Sequence, residues 1–222
     1  MDKEVEKIIS DTIRNLSLVR SEDIPNIDLY MDQVTTFMEK QLASLKRTPD
    51  EKILTKTMIN NYVKNNLLPP PDKKKYSKEH VIMLTFIYYF KGFLSINDID
   101  TLLQPIRDQY FSGDKSVTLT QIYDEVCGTS NQLAAELFSD LAKKCRAADD
   151  TFEDVKDDEE RRSLQIFALV CMLSFDAYVK KMLVENFADH LKEERERKAQ
   201  EAEASSKNKT KSGTQSLPPH NL

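Results

Sequence analysis

Tryptophan is absent from this 222-residue chain, glycine occurs four times and histidine three times. So little glycine, beside abundant Leu, Ile, Lys and Glu, favours an all-α fold over a sheet. The three cysteines, Cys127, Cys145 and Cys171, are odd in number, far apart and without a CxxC pair. They read as free thiols in a reducing compartment. No Cys/His pair has metal-ligand spacing, and there is no Ser-His-acid set, no glycine-rich phosphate loop and no paired carboxylates in a defined context. Neither an enzyme nor a bound cofactor or metal is expected. The acidic run 149–160 lacks the Asp-x-Asp-x-Asp-Gly spacing of a calcium loop and reads as a solvated linker. The longest apolar run, Ile166 to Leu173, falls short of the roughly 20 residues that cross a bilayer. Met1–Ser10 is charged and has no apolar core of the signal-peptide kind. A cytoplasmic protein without a membrane partner is the expectation.

What the chain has is helical periodicity and an uneven charge. Apolar residues make up 40% and charged residues 31%, and the net charge is −5, the profile of a globular protein. Residues 46–80 carry nine Lys/Arg against four Asp/Glu, whereas 81–191 carry eleven against nineteen. Phosphate binding needs a local basic face rather than a basic protein, so this distribution permits it.

Val5, Ile8, Ile9, Ile13 and Leu16 recur at helical spacing, and Ser21 to Pro25 breaks that helix. Asp28 is the candidate N-cap of a helix from Leu29 to about Leu45, stopped by Arg47-Thr48-Pro49-Asp50. Thr55 caps a helix whose apolar stripe is Met58, Ile59, Tyr62 and Val63, with Lys56, Thr57, Asn60, Asn61 and Lys64 on the other face. Pro69-Pro70-Pro71 forces an extended segment. Ser77 caps a helix to about Phe93, with Gly92 at its C-terminal end. Ser95 with Asp98 opens a short helix closed by Pro105. Two helices are expected between Ser116 and Ala147, broken near Cys127 to Ser130. A long helix follows from Arg161 to about Arg197. Its apolar stretch, Leu164 to Val179, suits either the centre of a bundle or a subunit interface. Residues 199–222 read as a disordered tail.

Leu67-Leu68-Pro69-Pro70-Pro71, Lys73-Lys74-Lys75, Tyr76-Ser77-Lys78-Glu79 and Leu94-Ser95-Ile96-Asn97-Asp98-Ile99 follow one another in 55–103. In this order they resemble the winged helix-turn-helix of MerR-type regulators. There a recognition helix runs into a Leu-Leu-Pro-Pro element and then a basic wing. The wider chain, with Ile24-Pro25-Asn26-Ile27-Asp28-Leu29-Tyr30-Met31, is similar to an uncharacterised bacterial family, domain of unknown function 1836, described as MerR-like. Where MerR-type recognition helices usually carry an arginine and two tyrosines, this chain has Asn60, Asn61 and Tyr62, and its wing is shorter.

The resemblance implies a winged helix-turn-helix at 51–105, embedded in a helical bundle. N-terminal helices (1–50) would pack on it, and 106–198 would form a core and dimerisation bundle. The implied function is sequence-specific binding of double-stranded DNA by a transcriptional regulator, as a homodimer. Lys56, Thr57, Asn60, Asn61 and Lys64 would meet the major groove, and Lys73, Lys74 and Lys75 the flanking phosphates. The other reading is a protein-interaction module that keeps the winged-helix scaffold without DNA binding. A small-molecule or protein effector is left open, since no set of polar anchors names one.

Overall fold

The computed structural model describes residues 3–15, 18–113 and 115–212. It is mostly helical: α1 (Lys3–Asn15), α2 (Met31–Gln41), α3 (Lys56–Lys64), α4 (Lys78–Phe90), α5 (Ile96–Tyr110), α6 (Leu119–Asp149) and α7 (Asp158–Ser212). Two short strands, β1 (Leu29–Tyr30) and β2 (Lys75–Tyr76), pair antiparallel, with Leu29 opposite Tyr76 and Tyr30 opposite Lys75. The expected cap at Asp28 is therefore displaced. Leu29 and Tyr30 are extended, Tyr30 becomes the N-cap, and its amide donates to Gln33 Oε1 at 2.8 Å.

The central helix is α4. Val81, Ile82, Met83, Leu84 and Ile87 are all at most 1% exposed, because β2, α5 and α6 pack around it. A helix covered on every side reads as one continuous apolar run, and here that run is short. Val34, Met38 and Leu42 add an i, i+4, i+8 stripe at 0% exposure, each worth about 1.5–3 kcal/mol of apolar burial. One core runs from Val19 to Tyr123, through α2, α3, α4 and the first half of α5. A smaller cluster, Cys145, Ala148 and Leu169, lies where α1 meets α6 and α7. The lead-in to α2 is tied down at Val19, whose amide donates to Tyr89 Oη at 3.4 Å while its carbonyl accepts from the Tyr123 hydroxyl. Burial pushes the Tyr89 phenol up to about 12.

Several element ends differ from the sequence expectation, each for a physical reason. Gly92 falls just past the αR cap residue Lys91 and is not in the left-handed region. Pro105 does not close its helix: α5 continues to Tyr110. A proline at 105 has no N–H for the Thr101 carbonyl. Arg195 of α7 donates to that carbonyl instead and to Gln104 Oε1 at 2.5 Å. The break expected at Gly128 is also absent, and α6 is one helix from Leu119 to Asp149. An internal glycine costs a helix only about 1 kcal/mol, and Thr118 supplies a firm start by accepting the Gln121 amide at 3.2 Å.

The long helix is not the centre of a bundle. One side of α7 packs on α5 and α6, and the opposite side is solvent-exposed over much of its apolar stretch. It also runs on to Ser212, beyond the expected start of a tail at 199. Ala, Gln and Glu in 199–204 are strong helix formers even without an apolar stripe. The rest of that tail, 213–222, lies outside the described residues.

Candidate nucleic-acid interface

Thr55 fixes the start of α3. Its Oγ1 accepts the Met58 amide at 3.1 Å, satisfying one of the donors that a helix N-terminus leaves open. Ile59 and Tyr62 are buried and seat the helix, with Met58 and Val63 half-buried beside them. The exit is as well defined. Asn66 takes a φ of 58°. The Leu67 amide donates to the Tyr62 carbonyl at 2.9 Å and the Asn66 amide to the Val63 carbonyl at 3.1 Å. These are the paired bonds of a Schellman cap. Leu67 and Leu68 then enter the core. Arg107 of α5 donates to the Asn66 carbonyl while held by Asp100 Oδ1 and Asp108 Oδ1, both at 3.0 Å.

With both ends fixed, the outer face of α3 is determined. Lys56, Thr57, Asn60, Asn61 and Lys64 are all exposed, within an arc of about 140° at 100° per residue. Lys56 forms an ion pair with Asp32 at the start of α2, so a phosphate at this position has to replace that partner.

The three lysines occupy a tight hairpin. The Lys75 amide donates to the Asp72 carbonyl at 2.8 Å, and Lys73 and Lys74 between them have φ of 48° and 67°. Positive φ at both central residues is the type I′ pattern, usually Asn-Gly. An L residue in that region costs roughly 1–2 kcal/mol, so two lysines make an expensive turn. All three lysines are exposed, and Lys75 Nζ lies 5.6 Å from the centre of the Tyr30 ring. Helix α2 touches α3, β1 and β2. The basic hairpin and the outer face of α3 are thus carried on the same helix.

His80 packs beneath this hairpin. Its Nδ1 accepts the Ser77 amide at 3.0 Å, and its ring meets Tyr76 and Phe111 edge-on at 5.3 and 4.7 Å. Burial holds its pKa below the ordinary value. The Pro69 and Pro70 carbonyls and the charges of Glu79 and Asp28 pull the other way. Those carbonyls do not complete a hydrogen bond to Nε2, which has no partner among the described residues.

Tyr30, Asp32 and Arg107 belong to this surface and were missed in the sequence. A two-residue strand gives no alternation to detect, and neither the Lys56–Asp32 pair nor the Arg107–Asn66 contact has a local signature. Among the described residues no group of three or more His, Cys, Asp or Glu side chains could hold a metal ion. Nor is any described helix long and apolar enough to cross a membrane.

Compared with known proteins, residues 19–126 match the family model described as Domain of unknown function (DUF1836). The match spans just under half of the chain and closely follows the segment that builds the main core, Val19 to Tyr123. No curated protein and no solved structure matches the chain.

Proposed function

We propose that the protein is a sequence-specific DNA-binding regulator acting as a homodimer, by binding rather than catalysis. In this reading α3 and the Lys73–Lys75 hairpin belong to a MerR-like winged helix-turn-helix at 51–105, with α2 and β1 packed on it. The outer face of α3 enters the major groove and the Lys73–Lys75 hairpin grips phosphates beside it. The observation that carries the reading is the exposed hairpin, where two lysines occupy backbone positions that Asn-Gly would fill at lower cost. Strain retained at an exposed turn points to a use for the side chains it displays. The outer face of α3 adds support, because Asn60 and Asn61 are exposed and poor helix formers, and asparagine pairs bidentately with adenine edges.

The test is selection from sheared genomic DNA with the purified full chain, followed by anisotropy titration of an enriched site at two salt concentrations. A shared motif bound well above competitor DNA is expected. Asn60→Ala with Asn61→Ala should lower discrimination by about 1–3 kcal/mol per lost base contact. Replacing the hairpin lysines should weaken binding to all sequences and flatten its salt dependence. No enrichment, with binding indifferent to both sets of substitutions, would overturn the reading in favour of a protein-interaction module.

A further inference from the structure

Between Ile166 and Phe187 the outward side of α7 carries two neighbouring i, i+4 rows. One holds Ile166, Val170, Tyr178 and Met182, with Ser174 among them. The other holds Phe167, Phe175, Val179, Leu183 and Phe187. All are exposed, Phe167 at 64%, Phe175 at 70% and Phe187 at 57%. The band runs roughly 30 Å along the helix at 1.5 Å per residue. With aromatic side chains of about 150–250 Å², it presents on the order of 800–1,000 Å². A monomer's largest apolar patch is typically about 300–600 Å², and a stable dimer needs roughly 800 Å² from each partner.

We infer that this band is the interface with a second copy of the same chain, crossing its two-fold mate near Phe175 and Tyr178. The area is one reason. The second is charge: the charged residues between Ile166 and Phe187 are Asp176, Lys180, Lys181 and Glu185. Each is paired within its own chain, Asp176 with Lys144 and Lys180, and Lys181 with Glu185. The band therefore offers no unmatched charge for an unlike partner. Its N-terminal flank, Asp157 to Glu160, is acidic, which disfavours an anionic lipid surface. The third is shape. Two parallel i, i+4 rows form ridges and a groove that fit a copy of themselves. Large residues (Phe175, Tyr178) alternate with small ones (Ser174, Val179), so a two-fold axis near the middle sets ridge against groove on both copies. The surface names the contact for the homodimer proposed above, but the argument for it uses nothing from the DNA reading.

Sedimentation equilibrium of the full chain without DNA tests it. Wild type should be a dimer. Phe175→Lys and Phe175→Asp should each raise the dissociation constant roughly 30-fold or more, the scale of a hot-spot loss, with helix content unchanged by circular dichroism. Mixing the two variants should restore a dimer, since each substituted position faces its counterpart across the two-fold. Val179→Lys gives the same loss by an independent route. A monomeric wild type, a dimer indifferent to all three substitutions, or a mixture that stays monomeric overturns the assignment. A wild-type monomer that floats with neutral vesicles would give the band to lipid instead. Because no DNA is present, dimer loss and failure of DNA reading are scored separately.

Discussion

Helices α3 and α7 both turn one side to the protein and the other to solvent, yet they leave opposite chemistry uncovered. α3 buries Ile59 and Tyr62 and shows amide, hydroxyl and ammonium groups. α7 packs a narrow row on α5 and α6 and shows phenylalanine, tyrosine and leucine. Apart from the Lys56–Asp32 pair the polar side of α3 faces solvent, so covering it requires a partner that returns hydrogen bonds and charge. The outer side of α7 gains simply by leaving water. Each face thus specifies the kind of partner that suits it.

The sharpest way to break the comparison is to truncate one large apolar side chain to alanine on each helix. Ile59→Ala, at a fully buried position of α3, should cost about 2–5 kcal/mol of protomer stability in urea titration. Phe175→Ala on the outer side of α7 should cost the isolated protomer no more than about 0.5 kcal/mol while weakening self-association. Equal losses at the two positions would mean that α7 is covered within its own chain.

Next in size is Arg107→Ala. It leaves the Asn66 carbonyl without its donor and Asp100 without its ion pair, a loss of about 1–3 kcal/mol. Since Arg107 holds the exit of α3, amide exchange at Asn65 to Leu67 should rise more than in α6. Uniform acceleration along the chain would show Arg107 to be an ordinary stabilising residue.

How much of this was legible in sequence follows from the range of the interactions. Thr55, Ser77 and Ser95 were readable as caps because a cap and its partner lie within three residues. Continuity through Pro105 was not, because the group that replaces the missing donor is Arg195, in another helix. Nor was the continuity of α6 through Gly128 foreseeable, since an internal glycine is only a small local penalty that the rest of a long helix can absorb. The eight candidate contact residues were readable as solvent-facing from periodicity and charge. The Asp32 partner of Lys56 and the left-handed backbone of Lys73 and Lys74 depend on tertiary placement. The apolar excess in 164–179 was plain, but only packing shows which half of it is uncovered.

The hairpin allows stability and binding to be separated. Lys73→Asn with Lys74→Gly places the preferred type I′ residues in the turn and should stabilise the protomer by about 1–2 kcal/mol. The same double substitution removes two of the charges proposed to meet phosphate, so DNA affinity should fall and its salt slope should drop by about 2. A rise in stability with unchanged DNA affinity would leave the strained lysines without the use proposed for them.

The smallest expected effect is a pH dependence set by His80. His80 is buried between β2 and the end of α5. Burial lowers the His80 pKa in the fold below its ordinary 6.5, so the unfolded chain takes up the proton first. Its contribution is therefore intact above pH 6.5 and is lost as pH falls from there toward the folded value. His80→Gln keeps a side-chain acceptor for the Ser77 amide without the titration. Between about pH 5 and 7.5, where carboxylates are still largely ionised, wild-type stability should decline on acidification more steeply than that of the variant. Parallel curves would mean that His80 is no more costly to protonate inside the fold than in the unfolded chain, and that the packing of Tyr76 and Phe111 around it tolerates the charge.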